Sequence, residues 1–236
     1  DVKSGEEFLV DSEEFDHIVK SLRMSVGDSV EFVNGAGMVI HSIITQIKND
    51  ELACRAESVE PSQNELPLHV TAAVGLIRRQ RFEWMVEKLT ELGVHSIQPI
   101  HSEHVVRSGL RDDRLHRKAI AAMKQSKRAV LPQIDTPRSF QDWLQTTTPE
   151  KTFVAAQTSN GGRLTSVRDY LIGDVAYAVG PEGGWSDAEL EMLRQRGVRT
   201  FSLGERRLRT ETAAVAILAE ISSISAEYLS EREKSQ

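Results

Sequence analysis

The chain has 236 residues, of which 39% are hydrophobic and 27% charged, a composition that predicts a globular protein with one large domain or a small and a medium one. Its net charge of −6 argues against a uniformly basic nucleic-acid-binding protein, and its single cysteine, Cys54, excludes a disulfide framework and a zinc site of paired thiolates. No apolar run is long enough to cross a bilayer and no signal pattern opens the chain, so we expect a protein of the reducing cytoplasm with no membrane partner.

The first 63 residues are predicted to form a small β-rich domain with one helix. Ser12 is placed to cap that helix, whose apolar face includes Phe15 and Ile18. The strands predicted after it are Val30–Val33, Met38–Ile47 and Glu51–Val59. Asn34-Gly35 predicts a hairpin between the first two. The polar stretch 61–67, bracketed by prolines, is typical of a linker.

From residue 67 to residue 236 the pattern changes to alternating strands and helices. Strands are predicted at Leu68–Ile77, Val94–Ile100, near Gln133, and at Thr152–Ala156, Val175–Val179 and Val198–Leu203. Helices are predicted at Arg81–Leu92, 112–129, Ser139–Leu144, Ser166–Ile172, from Ser186 to Gly197, and at about 211–229. Such alternation favours a largely parallel sheet with both faces covered. The last helix begins with the apolar run Ala213–Ala219, which must be buried in an intrachain core or in a dimer interface.

Charge is distributed unevenly between the two parts. Residues 1–65 carry 5 Lys and Arg against 14 Asp and Glu, whereas residues 76–138 carry 13 against 7. A basic block of this kind can contact a phosphate backbone while the rest of the protein stays acidic. An ordinary solvated helical surface explains the block equally well.

Two loops stand out because they follow predicted strands, where ligands bind in open α/β sheets. The first is Gly180–Ser186, with the sequence GPEGGWS, and the second is Gly204–Thr212, with the sequence GERRLRTET. The first loop is neither a P-loop nor a dinucleotide fingerprint, because it lacks the spacing of both. Glu182 in the middle of this loop would repel a phosphate. The glycines of the loop allow a ligand to approach the main chain closely, and an uncharged or cationic ligand is favoured. A tight turn that only shapes the strand-helix junction is the alternative.

The two loops together carry a family resemblance. The segments Gly180–Ser186 and Leu203–Ala213 resemble those of the RsmE family, the 16S ribosomal RNA uridine-N3 methyltransferases of the SPOUT superfamily. Two upstream segments, Arg81–Val94 and His17–Met24, agree with this family, and the resemblance covers nearly the whole chain.

The resemblance implies a fold and a reaction. The fold is a PUA-like β-barrel domain over residues 1–63, followed over residues 67–236 by a SPOUT-type α/β methyltransferase domain with a trefoil knot. S-adenosylmethionine is the implied methyl donor, and the implied partners are 16S ribosomal RNA or the assembled small subunit and a second copy of the chain. No metal is expected, because His101 and His104 have no third ligand near them in the sequence.

The resemblance also assigns residues by position. The expected cofactor-binding residues are Gly180, Pro181, Glu182, Gly183, Gly184, Leu203, Gly204, Leu208, Arg209 and Thr210. Arg209 is expected near the target base, where a cation favours the anion left when N3 loses its proton; a salt bridge to Glu211 or Glu182 is the alternative. Glu182 is the candidate proton acceptor, unless it only holds the loop by bonding to backbone amides. The expected RNA-binding residues are Lys20, Arg23, Arg78, Arg79, Arg81, Arg107 and Arg128.

Two other functions fit the same sequence. Other SPOUT families methylate the ribose 2′-hydroxyl with the same cofactor fold. An RNA-binding assembly factor with a decayed cofactor site is the second alternative, and the intact glycine loop and Arg209–Thr212 argue against it.

Overall fold

The computed structural model describes residues 2–48, 51–105, 109–156, 162, 164 and 173–233. The chain divides into two compact units, residues 1–65 with 127–131 and residues 66–126 with 132–236. Residues 127–131, which the sequence pattern assigns to the second domain, therefore belong to the first unit. The helix predicted at Ser166–Ile172 and the candidate Arg107 lie outside the described residues.

Within the described part of the first unit, four strands form an antiparallel sheet in the order β1-β4-β3-β2. Their bounds are Glu7–Val10 for β1, Ser29–Val33 for β2, Met38–Lys48 for β3 and Glu51–Pro61 for β4. The predicted hairpin joins β2 to β3, and Asn34 Oδ1 accepts hydrogen bonds from the main-chain N–H groups of Ala36 and Met38. Strand β1 was not predicted, because four residues are too short a run for alternation to show.

The core of the first unit lies between its sheet and its helical segment. Ile44, Leu52 and Cys54 of the sheet are fully buried with Phe15 and Ile18 of that segment. Burial raises the pKa of the Cys54 thiol to about 11, so the thiol is a protonated core group at neutral pH.

The helical segment differs from the single α-helix that the sequence predicts. Helix α1, Ser12–Phe15, is followed directly by a π-helical turn over Asp16–Ser21. The N–H of Leu22 bonds to the carbonyl of His17, five residues back, as this wider turn requires.

Glu65 holds the segment 127–131 in the first unit. Its carboxylate accepts hydrogen bonds from the Arg128 guanidinium at 2.7 and 2.9 Å, and from the main-chain N–H groups of Ala129 and Val130 at 2.8 and 3.0 Å. The chain reaches this position through Lys127, whose φ of 56° is left-handed and cannot continue a helix. The helix predicted to run to residue 129 therefore ends before Lys127.

In the described part of the second unit, seven strands form a parallel sheet with the main order β11-β9-β10-β5-β6-β7, and β8 pairs with β6. The bounds are β5 His69–Gly75, β6 Ser96–His101, β7 Gln133–Ile134, β8 Arg138–Ser139, β9 Thr152–Ala155, β10 Asp174–Val179 and β11 Arg199–Phe201. The helices are α2 Arg79–Glu91, α3 Asp112–Gln125, α4 Phe140–Thr146, α5 Asp187–Gln195 and α6 Thr210–Glu233. A short 3₁₀ turn, Pro149–Lys151, precedes β9. The predicted α/β architecture is confirmed.

Helix α6 is attached to the middle of this sheet. The hydroxyl of Tyr177 on β10 donates a 3.0 Å hydrogen bond to the carbonyl of Ala214, and burial raises the pKa of Tyr177 well above its usual value, so the donor stays neutral. Ala214, Ile217 and Leu218 are fully buried within one chain. An intrachain core thus accounts for the apolar start of α6. No helix within the described ranges is long and apolar enough to span a membrane.

Candidate functional site

A pocket of about 300 Å³ lies at the carboxyl ends of three adjacent parallel strands, β11, β9 and β10. Both loops singled out in the sequence line it, and they contribute nine of the ten residues predicted to bind a cofactor: Gly180, Pro181, Glu182, Gly183, Gly184, Leu203, Gly204, Leu208 and Thr210. Arg209, the tenth, is exposed and does not line the pocket. The site thus stands where parallel sheets place their ligands.

Nine further residues line the pocket and were not predicted. They are Ala155, Ala156, Val179, Trp185, Leu190, Ser202, Arg206, Arg207 and Ala213. Most are sequence neighbours of the two loops, whereas Ala155 and Ala156 stand at the end of β9. Their position at the carboxyl end of the strand predicted at Thr152–Ala156 was the signal that could have identified them.

Glycines in the loop Gly180–Ser186 and beside it allow close packing and a left-handed turn of the main chain. A Cβ added at Gly75, at the end of β5, would stand 2.5 Å from the main-chain nitrogen of Pro181. A Cβ added at Gly183 would stand 2.6 Å from the Cβ of His104, and Gly184 has a φ of 74°. Main-chain groups of the loop are thereby brought to the edge of the pocket.

Trp185 and Ser186 anchor the far end of this loop. The indole N–H of Trp185 donates to the carbonyl of Ala155 at 3.0 Å, and its ring packs on Phe140 at 5.0 Å between centroids. Ser186 and Glu189 form the predicted capping box of α5. Glu189 also accepts a 3.0 Å hydrogen bond from the main-chain N–H of Glu103, in the loop after β6.

The second wall of the pocket is bonded to the first. The hydroxyl of Thr210 donates a 2.8 Å hydrogen bond to the carbonyl of Gly180, and Thr210 is buried. The guanidinium of Arg207 donates a 2.9 Å hydrogen bond to the carbonyl of Glu182. The two loops therefore form one connected structure around the pocket.

An ion-pair cluster stands beside the pocket. Arg81 Nη1 lies 3.3 Å from Glu182 Oε1, and Arg81 Nε lies 3.6 Å from Glu211 Oε1. The predicted alternatives for these carboxylates were backbone amides for Glu182 and a salt bridge with Arg209. The structure gives both carboxylates Arg81 as their partner instead.

His104 contacts the glycine loop. Its Nδ1 lies 3.3 Å from the carbonyl of Gly184, to which the protonated nitrogen donates. Within the described part of the chain, no three His, Cys, Asp or Glu side chains come together as a possible metal site.

The residues predicted to bind RNA differ in exposure and in partners. Arg78 is exposed. Lys20 pairs with Asp16, Arg79 pairs with Glu83 and Arg81 belongs to the cluster above. Arg23 is exposed and has a left-handed φ of 58°. Arg128 does not present the exposed guanidinium that a phosphate contact requires, because this side chain is 2% exposed and its guanidinium is bonded to Glu65.

The lining suggests what the pocket can hold. Leu203, Leu208 and Val179 offer apolar surface, and the glycine loop offers main-chain groups for hydrogen bonds. Glu182 and the absence of a phosphate-binding motif disfavour a nucleotide phosphate. A flat, uncharged ring system with a cationic or neutral tail fits these groups.

Two family models match the chain. Residues 64–222 match a model described as an RNA methyltransferase domain, and residues 10–57 match one described as an RNA methyltransferase PUA domain.

Known proteins resemble the chain over nearly its full length. Ribosomal RNA small subunit methyltransferase E of Bacillus subtilis (strain 168) is 30% identical over 234 residues, which cover 94% of this chain and 91% of that protein. The crystal structure of a ribosomal RNA small subunit methyltransferase E from Neisseria gonorrhoeae, bound to S-adenosylmethionine, gives a TM-score of 0.84 at 26% identity and covers 95% of this chain and 94% of its own. A Legionella pneumophila structure with the bound cofactor SAM gives a TM-score of 0.81 at 27% identity and covers 94% of both chains.

Proposed function

The chain belongs to the family of ribosomal RNA small subunit methyltransferase E, and on that premise we propose that it transfers a methyl group from S-adenosylmethionine to N3 of a uridine in 16S ribosomal RNA. The observation that carries the proposal is the pocket at the carboxyl ends of β9, β10 and β11, built from both loops of the family resemblance. A relative with a TM-score of 0.84 has S-adenosylmethionine bound, which supports the choice of cofactor.

The residues of the pocket fit this cofactor. The apolar side chains of Leu203 and Leu208 suit the faces of an adenine, and main-chain groups of the glycine loop suit its polar edge. Glu182, which disfavours a phosphate, tolerates a positive sulfonium. Bound S-adenosylmethionine supplies an electrophilic methyl group for in-line displacement, so the protein's task is alignment and exclusion of water.

Arg209 is proposed to act on the target base. It is exposed and stands directly before Thr210, a residue of the pocket lining whose hydroxyl bonds to the glycine loop. A cation there stabilises the uracil anion that forms when N3 loses its proton.

Two roles were predicted for Glu182: to accept the N3 proton, or to hold the loop by bonding to backbone amides. We propose that it holds the loop, but through Arg81 in place of backbone amides. Its Oε1 is engaged by Arg81 and its Oε2 is buried, which supports holding of the loop. Acceptance of the N3 proton is the second candidate role, supported by Glu182 being a carboxylate that lines the pocket.

The surface that meets RNA is proposed to lie at the mouth of the pocket. Arg206 and Arg207 line the pocket and are exposed, Arg209 is an exposed neighbour of theirs in sequence, and Arg78 is exposed at the start of α2. Guanidinium groups bind phosphate with two parallel hydrogen bonds, so these residues suit the backbone that flanks a target nucleotide.

The finer assignments rest on the family resemblance. We propose a cytoplasmic homodimer that acts on 16S ribosomal RNA or on the assembled small subunit. The trefoil knot belongs to the same proposal, and the bond between Thr210 and Gly180, which links the two loops of the pocket, is compatible with it. Sedimentation of the purified chain at micromolar concentration checks the dimer.

Calorimetry with S-adenosylmethionine tests the proposed function most simply. We expect saturable binding, followed by transfer of a labelled methyl group to 16S but not to large-subunit ribosomal RNA. Arg194→Ala, which removes an exposed ion pair on α5, is the matched control and should bind as the unaltered chain does. No binding at millimolar cofactor would remove both the uridine and the ribose reactions.

A further inference from the structure

Arg81 occupies a junction of three chain segments beside the cofactor pocket. It stands in the first turn of α2, Glu182 lies in the glycine loop after β10, and Glu211 lies in the first turn of α6. The Arg81 guanidinium therefore bridges the glycine loop, which forms one wall of the pocket, and helix α6, which follows the loop that forms the other wall.

The two carboxylates depend on Arg81 for charge compensation. Glu211 is 7% exposed, and the Oε2 atoms of both Glu182 and Glu211 are buried with no hydrogen-bond partner among the described residues. The cluster contains two negative groups and one positive group, so removing Arg81 leaves the buried Glu211 carboxylate and the partly buried Glu182 carboxylate without this ion-pair partner. Such charges are costly, and the segments that carry them separate to reach water.

The same contacts argue against Arg81 as an RNA contact. Its guanidinium already meets two carboxylates, and its side chain is only 32% exposed. A phosphate would have to displace an ion pair with a buried partner.

We propose that Arg81 is a positioning residue for the methyltransferase: it holds Glu182 against Glu211, so that the two walls of the pocket are fixed before S-adenosylmethionine binds. The inference rests on the proposed function only in its choice of cofactor. It adds an ion-pair bridge to the two hydrogen bonds, Thr210 to Gly180 and Arg207 to Glu182, that already join the loops on either side of the pocket. A loop that is already ordered binds its ligand without the cost of ordering on association.

Arg81→Met tests this role with three measurements on the full chain: the Kd of S-adenosylmethionine by calorimetry, the Kd of a 16S ribosomal RNA fragment without cofactor, and thermal unfolding. We expect the cofactor Kd to rise by roughly tenfold and the RNA Kd to stay unchanged. Arg81→Lys keeps the charge but lacks the planar fork that meets two carboxylates, so its cofactor Kd should fall between those of the unaltered chain and Arg81→Met. Arg194→Ala is the control.

The outcomes separate this inference from the proposed function. An unchanged cofactor Kd in Arg81→Met overturns the inference, and so does a weakened RNA Kd with an unchanged cofactor Kd. If Arg81→Met does not fold, Glu211→Gln removes one ion pair without leaving a charge behind; it should weaken cofactor binding in the same direction, and unchanged binding overturns the inference. Failure of the unaltered chain to bind the cofactor contradicts the proposed function itself.

Discussion

At the scale of single residues, close approach of the main chain shapes the pocket. Gly75 is the sharpest case, because its neighbour is backbone: an added Cβ would stand 2.5 Å from the nitrogen of Pro181. Gly75→Ala should therefore displace the glycine loop, weaken S-adenosylmethionine binding and lower the free energy of unfolding by about 1–3 kcal/mol, as overpacking typically does. Calorimetry and denaturant unfolding measure both effects.

Gly109 supplies the matched control for this substitution. It is exposed, and an added Cβ would meet nothing within 4 Å. Gly109→Ala should change neither the affinity for the cofactor nor the stability. Equal behaviour of the two variants would show that the contact between Gly75 and Pro181 does not constrain the pocket.

Arg209 offers a test of catalysis separate from cofactor binding. Arg209→Ala should keep the Kd of S-adenosylmethionine, because this side chain does not line the pocket. Its methyl transfer should fall by about 10²–10³-fold, the usual effect of losing a group that stabilises a developing anion. Single-turnover rates with labelled cofactor measure this loss, and an unchanged rate would remove Arg209 from the mechanism.

The sequence indicated which residues meet at the pocket where their grouping follows from strand ends, and it gave no sign of contacts that depend on a distant partner. Gly180–Gly184 and Leu208 follow strands that parallel packing brings together, and all of them line one pocket. Nothing near Arg81 in the sequence indicates that Glu182 and Glu211 surround it. The burial of Arg128 could not be read from the sequence for the same reason, because its partner Glu65 stands 63 residues away.

At the scale of elements, periodicity predicted the long helices and the buried strands well. Helix α2 was predicted at Arg81–Leu92 and runs over Arg79–Glu91, since its apolar stripe reports directly on the core that it covers. The π-helical turn Asp16–Ser21 and the end of α3 were missed. The hydrogen bonds of a π turn span one residue more than those of an α-helix, a difference that the pattern of apolar residues does not reveal. Helix α3 ends just before Lys127, whose left-handed φ leads the chain to a tertiary contact with Glu65.

The ion pair between Arg128 and Glu65 is expected to contribute to the stability of the protein. Arg128→Met leaves the Glu65 carboxylate, which is 14% exposed, without its guanidinium partner. The free energy of unfolding should fall by about 3–5 kcal/mol, the usual cost of removing one partner of a buried pair. Urea unfolding measures the change. A normal stability combined with a weaker, less salt-dependent affinity for RNA would instead identify Arg128 as a phosphate contact.

At the scale of the whole molecule, the basic block at residues 76–138 is less available than its composition suggests. Arg114 pairs with Glu83, Arg117 with Asp113 and Lys118 with Glu87. The interpretation as a solvated helical surface therefore describes much of it. Because these basic side chains are already paired, the exposed arginines that line the pocket, Arg206 and Arg207, are the proposed contacts with RNA.

Mass spectrometry of nucleosides tests directly whether the methyl group is transferred to N3 of a uridine. Small-subunit ribosomal RNA from a strain that lacks its own uridine-N3 methyltransferase would be incubated with this chain and S-adenosylmethionine, then digested and separated. We expect a new N3-methyluridine that is absent without the chain. A 2′-O-methylated nucleoside in its place, or no new nucleoside from a chain that binds the cofactor, would contradict it.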